Sequence, residues 1–188
     1  MLFKSADEFI KSPNRAVTVF GMAGVGKTRL SAMLRASNWF HYSADYRIGT
    51  RYMGEAIVDN FKREAMKVPF LADLLRSDSI YISSNLTFEN LDPLSSYLGT
   101  PGDPDKHGLP LAEYQRRQEQ HRVAEIAALH DVPHFVERAK ALYGYDNFIA
   151  DTGGSLIEVV DPADPEDPVI KTLAGATTLL YIRGTGSD

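Results

Sequence analysis

Apolar positions along the chain change their period several times, and each change marks an element. Residues 16–20, Ala-Val-Thr-Val-Phe, form a short β-branched run with no polar face, the pattern of a parallel strand covered on both sides. Residues 39–43 (Trp-Phe-His-Tyr-Ser) and 147–151 (Asn-Phe-Ile-Ala-Asp) read the same way, and 177–182 supply a fourth strand. Helical patterns lie between them. Ser5, with Glu8 three residues on, predicts a capped helix that ends near Lys11, before Pro13. Residues 27–35 follow the first strand as a helix. Residues 52–67 place Met53, Ala56, Ile57, Phe61 and Ala65 at near-helical spacing, and 69–76 and 112–129 are further helices. Another opens at Pro133 and ends near Tyr143, with Gly144 as its C-cap. Residues 80–82 read as a short strand, 156–160 as strand or helix, and 169–173 as a short helix. Residues 100–108 and 161–168 are loops dense in Pro, Gly and Asp. Strands alternating with helices predict an α/β fold with a parallel sheet in a three-layer α/β/α sandwich. The chain reads as one domain, 1–188, with a large helical insert at 50–146 between the second and third core strands.

The turn between the first strand and its helix changes the picture most. Gly21-Met22-Ala23-Gly24-Val25-Gly26-Lys27-Thr28 meets the pattern G-x-x-x-x-G-K-[ST] at every fixed position, between a strand and a helix N-terminus as its mechanism requires. Glycines let backbone N–H groups turn inward around phosphate oxygens, and the helix dipole adds positive potential at the same point. The chain here resembles P-loop NTPases. That resemblance implies nucleotide binding by Gly21, Ala23, Gly24, Val25, Gly26, Lys27, Thr28 and Arg29, with Lys27 on the β- and γ-phosphates and Thr28 on Mg²⁺. ATP with Mg²⁺ is the expected ligand, since no Asn/Thr-Lys-x-Asp guanine-reading segment is present.

Two acids extend the reading. Phe148-Ile149-Ala150-Asp151 is an apolar strand ending in an acid, the form of a Walker B strand, and Asp151 is expected to share the Mg²⁺ shell with Thr28. The alternative is an acid that only caps the turn after it. Gly153-Gly154 follows and is similar to the glycine-rich turn that touches substrate in shikimate kinases, with Ser155 in place of a third glycine; a plain turn is the other reading. Ser43-Ala44-Asp45-Tyr46-Arg47-Ile48 is similar to the Asp-x-Asp-x-x-Ile segment after the second strand of that family, and Asp45 matches its substrate-binding acid. Ser43 and Gly49 depart from the family's acids, which argues against shikimate itself. The resemblance covers the first fifty residues and 147–183. It implies a small-molecule kinase, similar to shikimate and nucleoside-monophosphate kinases, with catalytic roles for Lys27, Asp45 and Asp151 and substrate contacts from Asp45, Gly153 and Gly154. Asp45 equally reads as a cap for the helix that follows. A second reading of the whole chain is a regulatory ATPase or switch protein whose insert binds a partner. Kinases of this class carry an arginine-bearing lid after the fourth strand, where this chain stops, so either the chain is truncated there or the insert serves as lid.

Composition narrows the partners. A net charge of −5 provides no general basic field and argues against nucleic acid, while leaving nucleotides and a small-molecule phosphoryl acceptor open. With no cysteine, disulfides, thiolate metal sites and a Cys nucleophile are excluded, and a reducing cytoplasm fits. No apolar run has the length of a membrane span. Arg116, Arg117 and Arg122 within the insert read either as a phosphate clamp or as a solvated helix face, opposite an apolar stripe of Leu111, Tyr114, Ala124 and Ala128. His107, His130 and His134 have no metal-ligand spacing.

Overall fold

The computed structural model describes residues 3–154, 156–161 and 163–184. Ser155 of the glycine turn, Pro162 of the acidic loop and the terminal Thr185, Gly186, Ser187 and Asp188 lie outside the described residues. The described chain divides into two compact units, one of residues 1–45 with 125–188 and one of residues 46–124.

The first unit is built on four parallel strands, β1 (Arg15–Phe20), β2 (Trp39–Ser43), β3 (Asn147–Asp151) and β4 (Thr178–Tyr181), in the order β2-β3-β1-β4. Because β1, β2 and β3 are covered on both faces, alternate residues feed two separate cores. Val17 and Val19 of β1, Ile149 of β3 and Trp39 of β2 pack with Phe9, Leu30 and Leu34 of helices α1 (Ala6–Lys11) and α2 (Lys27–Arg35). Ala16, Tyr42, Phe148 and Ala150 face the other way. They pack with Leu129 near the end of α7 (Leu111–His130), Val132 and Ala139 of α8 (Val132–Tyr143), and Val169 and Leu173 of α9 (Pro168–Ala176). The α/β class and all-parallel sheet expected from the strand patterns are therefore present, with helices on both faces.

Local signals set several boundaries. Ser5 Oγ accepts from the Glu8 N–H at 3.2 Å and caps α1. Gly144, in the left-handed region at φ 70°, ends α8 and donates to the Lys140 carbonyl at 3.1 Å. The 156–160 segment contains a 3₁₀ turn, Leu156–Glu158, and α9 extends beyond the predicted 169–173 at both ends.

The second unit holds the rest of α3 (Ala44–Arg47), a π-helical turn (Ile48–Tyr52), α4 (Gly54–Ala65), α5 (Pro69–Arg76), α6 (Asp92–Leu98), a 3₁₀ turn (Pro104–Lys106) and α7 up to Ala124. Ile48, Met53, Ile57, Leu94 and Tyr97 are buried in it. Residues 80–82 form no strand, which corrects the expectation drawn from their β-branched composition. The π-turn and α6 had no periodic signal, because each is too short to show one. No described helix is long and apolar enough to cross a membrane.

Candidate functional site

The sheet order places the site. The connection after β1 runs through α2 to β2, beyond β3, while the connection after β3 runs through α9 to β4, beyond β1. The two chains leave the β1–β3 crevice in opposite directions, so the carboxyl ends of these strands frame an open cleft. Val19 pairs with Asp151, and Asp151 pairs with Ser43, so three strands bring their carboxyl ends to one row.

From β1 the chain enters the 21–28 loop. Gly24 and Gly26 take φ values of 82° and 92°, which side chains adopt only at a cost, and Gly26 is the N-cap of α2. With no side chain at that cap, the first N–H groups of α2 have neither an intrahelical acceptor nor a capping oxygen. Lys27 is only 4% exposed, and its ammonium donates to the carbonyls of Gly21 at 2.8 Å and Met22 at 2.9 Å. A cation held in this way is desolvated and pre-positioned beside open N–H groups, an arrangement whose charge suits an anion.

From β3, Asp151 is buried, and one of its oxygens accepts the Gly153 N–H at 3.0 Å. This is the turn-capping role foreseen as the alternative for Asp151, and it leaves the second oxygen for other work. Gly153, at φ 69°, permits a close approach: a Cβ there would stand 2.2 Å from an Asp45 carboxylate oxygen. Asp45 itself lies in the first turn of α3, directly after β2. The next long helix, α4, takes Met53 as its N-cap with no side-chain bond, so Asp45 does not cap it.

These pieces line one cavity of about 410 Å³, formed by Ala23, Gly24, Gly26, Lys27, Thr28, Arg29, Asp45, Gly153 and Gly154. Gly21 and Val25, also expected at the nucleotide, do not line it. The cavity carries both signs of charge: Lys27 and Arg29 on the loop and α2, and Asp45 at the start of α3. Burial, then repulsion from Asp151, lifts the Asp45 carboxyl to about 6, against the pull of Lys27. A residue without sequence-level notice joins here. Glu125 of α7 is 4% exposed, and its carboxylate lies 3.9 Å from where a Cβ on Gly154 would stand. Burial, then the charges of Asp45 and Glu158, raises it to about 7. The available signal was Glu125 on the stripe of Ala124, Ala128 and Leu129, where helical spacing calls for an apolar residue.

Arg116 and Arg122 take the solvated-face role, exposed and paired along the helix, while Arg117 takes neither expected role. Arg117 is buried, donating to Glu113 at 2.7 Å, to Asn60 at 3.1 Å and to the Tyr97 carbonyl, with its guanidinium 4.5 Å from the Tyr97 ring centroid. Arg116 grips the same Glu113, and Arg122 lies 3.7 Å from Glu119. The predicted apolar stripe breaks at Leu111, which is exposed. Among the described residues no group of three His, Asp or Glu is arranged to hold a metal by itself. The Thr28 hydroxyl and Asp151 carboxylate still suit Mg²⁺, which commonly takes one or two protein oxygens and completes its shell with phosphate and water. No protein-family model matches the chain, and comparison with the curated proteins and the solved structures finds no match either.

Proposed function

We propose that the chain is an ATP- and Mg²⁺-binding P-loop protein that acts as a small-molecule kinase in a reducing compartment such as the cytoplasm. The observation that carries this reading is that Lys27, Thr28 and the open end of α2 line the same cavity as Asp45 and the Gly153-Gly154 turn. The donor set on one side suits phosphate: a desolvated ammonium, a guanidinium and unpaired helix N–H groups. The acid on the other side suits an acceptor hydroxyl. When bound, ATP supplies the γ-phosphoryl group, whose bond to the bridging oxygen breaks as the bond to the acceptor oxygen forms, so that ADP leaves with the electron pair. Lys27 neutralises phosphate charge, and Thr28 and Asp151 are the oxygens that would hold Mg²⁺. Asp45 orients the acceptor hydroxyl and takes its proton, a role for which a carboxyl raised to about 6 has better basicity than an ordinary aspartate.

Calorimetric titration with ATP and Mg²⁺ tests the binding half. Lys27→Ala is expected to lose about 10- to 100-fold in affinity, the worth of a charge-assisted bond. Equal affinity in mutant and wild type would remove the reading.

A further inference from the structure

We infer that the 46–124 unit carries a docking groove for an extended peptide of a partner protein. The peptide adds as a strand along residues 80–84, with apolar side chains beside Ile80 and Ile82 and a basic side chain beside Glu55. The backbone of residues 80–86 carries the inference. Before it, the Ser79 N–H donates to the Leu74 carbonyl at 2.9 Å; after it, the Thr87 N–H donates to the Asn90 carbonyl at 3.0 Å. Between these anchors, among the described residues, no hydrogen bond reaches the backbone of 80–86. Burial alternates along the same stretch: Ile80, Ile82, Ser84 and Leu86 are partly or fully buried, while Tyr81, Ser83 and Asn85 are exposed. That is the period of an extended chain. Leu86 packs on Gly49 of the π-helical turn, where an added Cβ would stand 2.9 Å from it.

Two cavities follow this segment. One, of about 430 Å³, is lined by Met66, Leu75, Ile80, Tyr81 and Ile82. The other, of about 570 Å³, is lined by Glu55, Val58, Asp59, Ser83 and Ser84 among others. Lys62 lines both and joins them. Together they touch successive residues from 80 to 84, inward and outward side chains alike, which is what a groove along a backbone edge does. The other lining element is α4, whose Glu55, Asp59, Lys62 and C-cap Met66 recur every three or four residues as one stripe. That stripe is about 16 Å long, the span of about five extended residues.

An extended peptide answers each feature. A row of backbone donors and acceptors is met by another extended backbone, whereas a helix has already satisfied its own. The Met66 end of the groove is apolar, and Tyr81 there leaves 88% of its surface to solvent. At the other end Asp59 pairs with Lys62 at 3.5 Å, while Glu55 has no ion pair among the described residues. The surplus charge is negative and calls for a basic side chain.

The test uses the full chain and fluorescein-labelled octapeptides, read singly by anisotropy. Each peptide carries valine, leucine, isoleucine or phenylalanine at two alternate positions, lysine near one end and threonine elsewhere. A second set places the lysine near the other end, since a strand adds parallel or antiparallel. Glutamate replaces lysine in the controls. The tightest lysine peptide is expected to bind about tenfold better than its glutamate counterpart. Glu55→Lys, at an exposed position, should cancel that preference and leave the melting temperature as in wild type. Methylating the backbone nitrogens of the odd or of the even residues of that peptide should abolish binding for one set alone, because only one edge of a strand pairs. Equal loss from both sets, equal binding of lysine and glutamate peptides, or no binding by any peptide at about 1 mM overturns the inference. So does a dimer of the chain, seen in sedimentation, that occupies this face and excludes the peptides.

Discussion

Asp45 and Gly153 form a matched pair. Gly153→Ala puts a methyl where the carboxylate now lies and forces a left-handed conformation on alanine, at about 1–2 kcal/mol for the backbone alone. The expected outcome is a lower melting temperature and lost acceptor-dependent turnover, with ATP affinity retained; calorimetry and ADP release on one preparation separate these effects. Asp45→Asn leaves the shape intact and removes the base, so turnover should fall by about 10²–10⁴ with ATP affinity nearly unchanged. Unchanged turnover would reduce Asp45 to architecture. Asp45 and Glu125 also set a pH dependence. Both folded-state values, about 6 and about 7, lie above the ordinary carboxyl values of 3.8 and 4.5. Between those limits the native protein holds protons that the unfolded chain has released, so stability is greatest below the unfolded values and falls as pH rises through the folded ones. Melting temperatures between pH 5 and 8 should decline for this reason, and Glu125→Gln should flatten the upper part of that decline.

At the scale of elements, helix ends carry more information than helix middles. α2 begins on a glycine with no capping oxygen, an arrangement that gives up local stability and leaves N–H groups for an anion. α9 begins in the opposite way. Asp167 accepts from the N–H groups of Val169 and Ile170, both at 2.9 Å, and from that of Asp161 at 3.0 Å. The Ile170 and Asp161 bonds hold its carboxyl below the usual range. Because α9 supplies Val169 and Leu173 to the sheet, losing this cap should loosen β4, which directly follows the helix. Asp167→Ala is expected to lower the melting temperature, and Asp167→Asn, which keeps the accepting oxygen, to recover most of the loss. Equal melting of both variants would assign the effect to charge and not to capping.

At the scale of the whole molecule, the two units are held by different means. The first relies on apolar burial on both sides of a parallel sheet, with Trp39 as the chain's single tryptophan within it. The second places a charge in its interior: Arg117 ties α7 to Asn60 of α4 and to Tyr97 of α6. Arg117→Ala removes three bonds and a ring contact, for an expected loss of about 1–3 kcal/mol. Hydrogen exchange should quicken first in α4, α6 and the 111–124 part of α7, while nucleotide affinity and the Trp39 fluorescence of the native protein stay unchanged. Exchange that quickens equally in β1 and β3 would contradict this division of labour.

By itself the sequence determined the strands, the glycine-rich loop at 21–28 and most helix ends, because these depend on neighbours in the chain. A parallel strand covered on both faces must be apolar throughout, a left-handed cap needs Gly144, and the loop needs glycine at 24 and 26 whatever surrounds it. The tertiary structure alone decided what depends on distant partners. Residues 80–82 have strand composition but form no strand. Arg117 has the appearance of a surface charge until Asn60 and Tyr97 are brought to it. Glu125 lies eighty residues from Asp45 in the chain, so only the packing of α7 could bring the two carboxylates close enough to influence one another. Backbone propensity acts over a few residues, whereas desolvation and charge act through space, and the chemistry of the cavity is made of the latter.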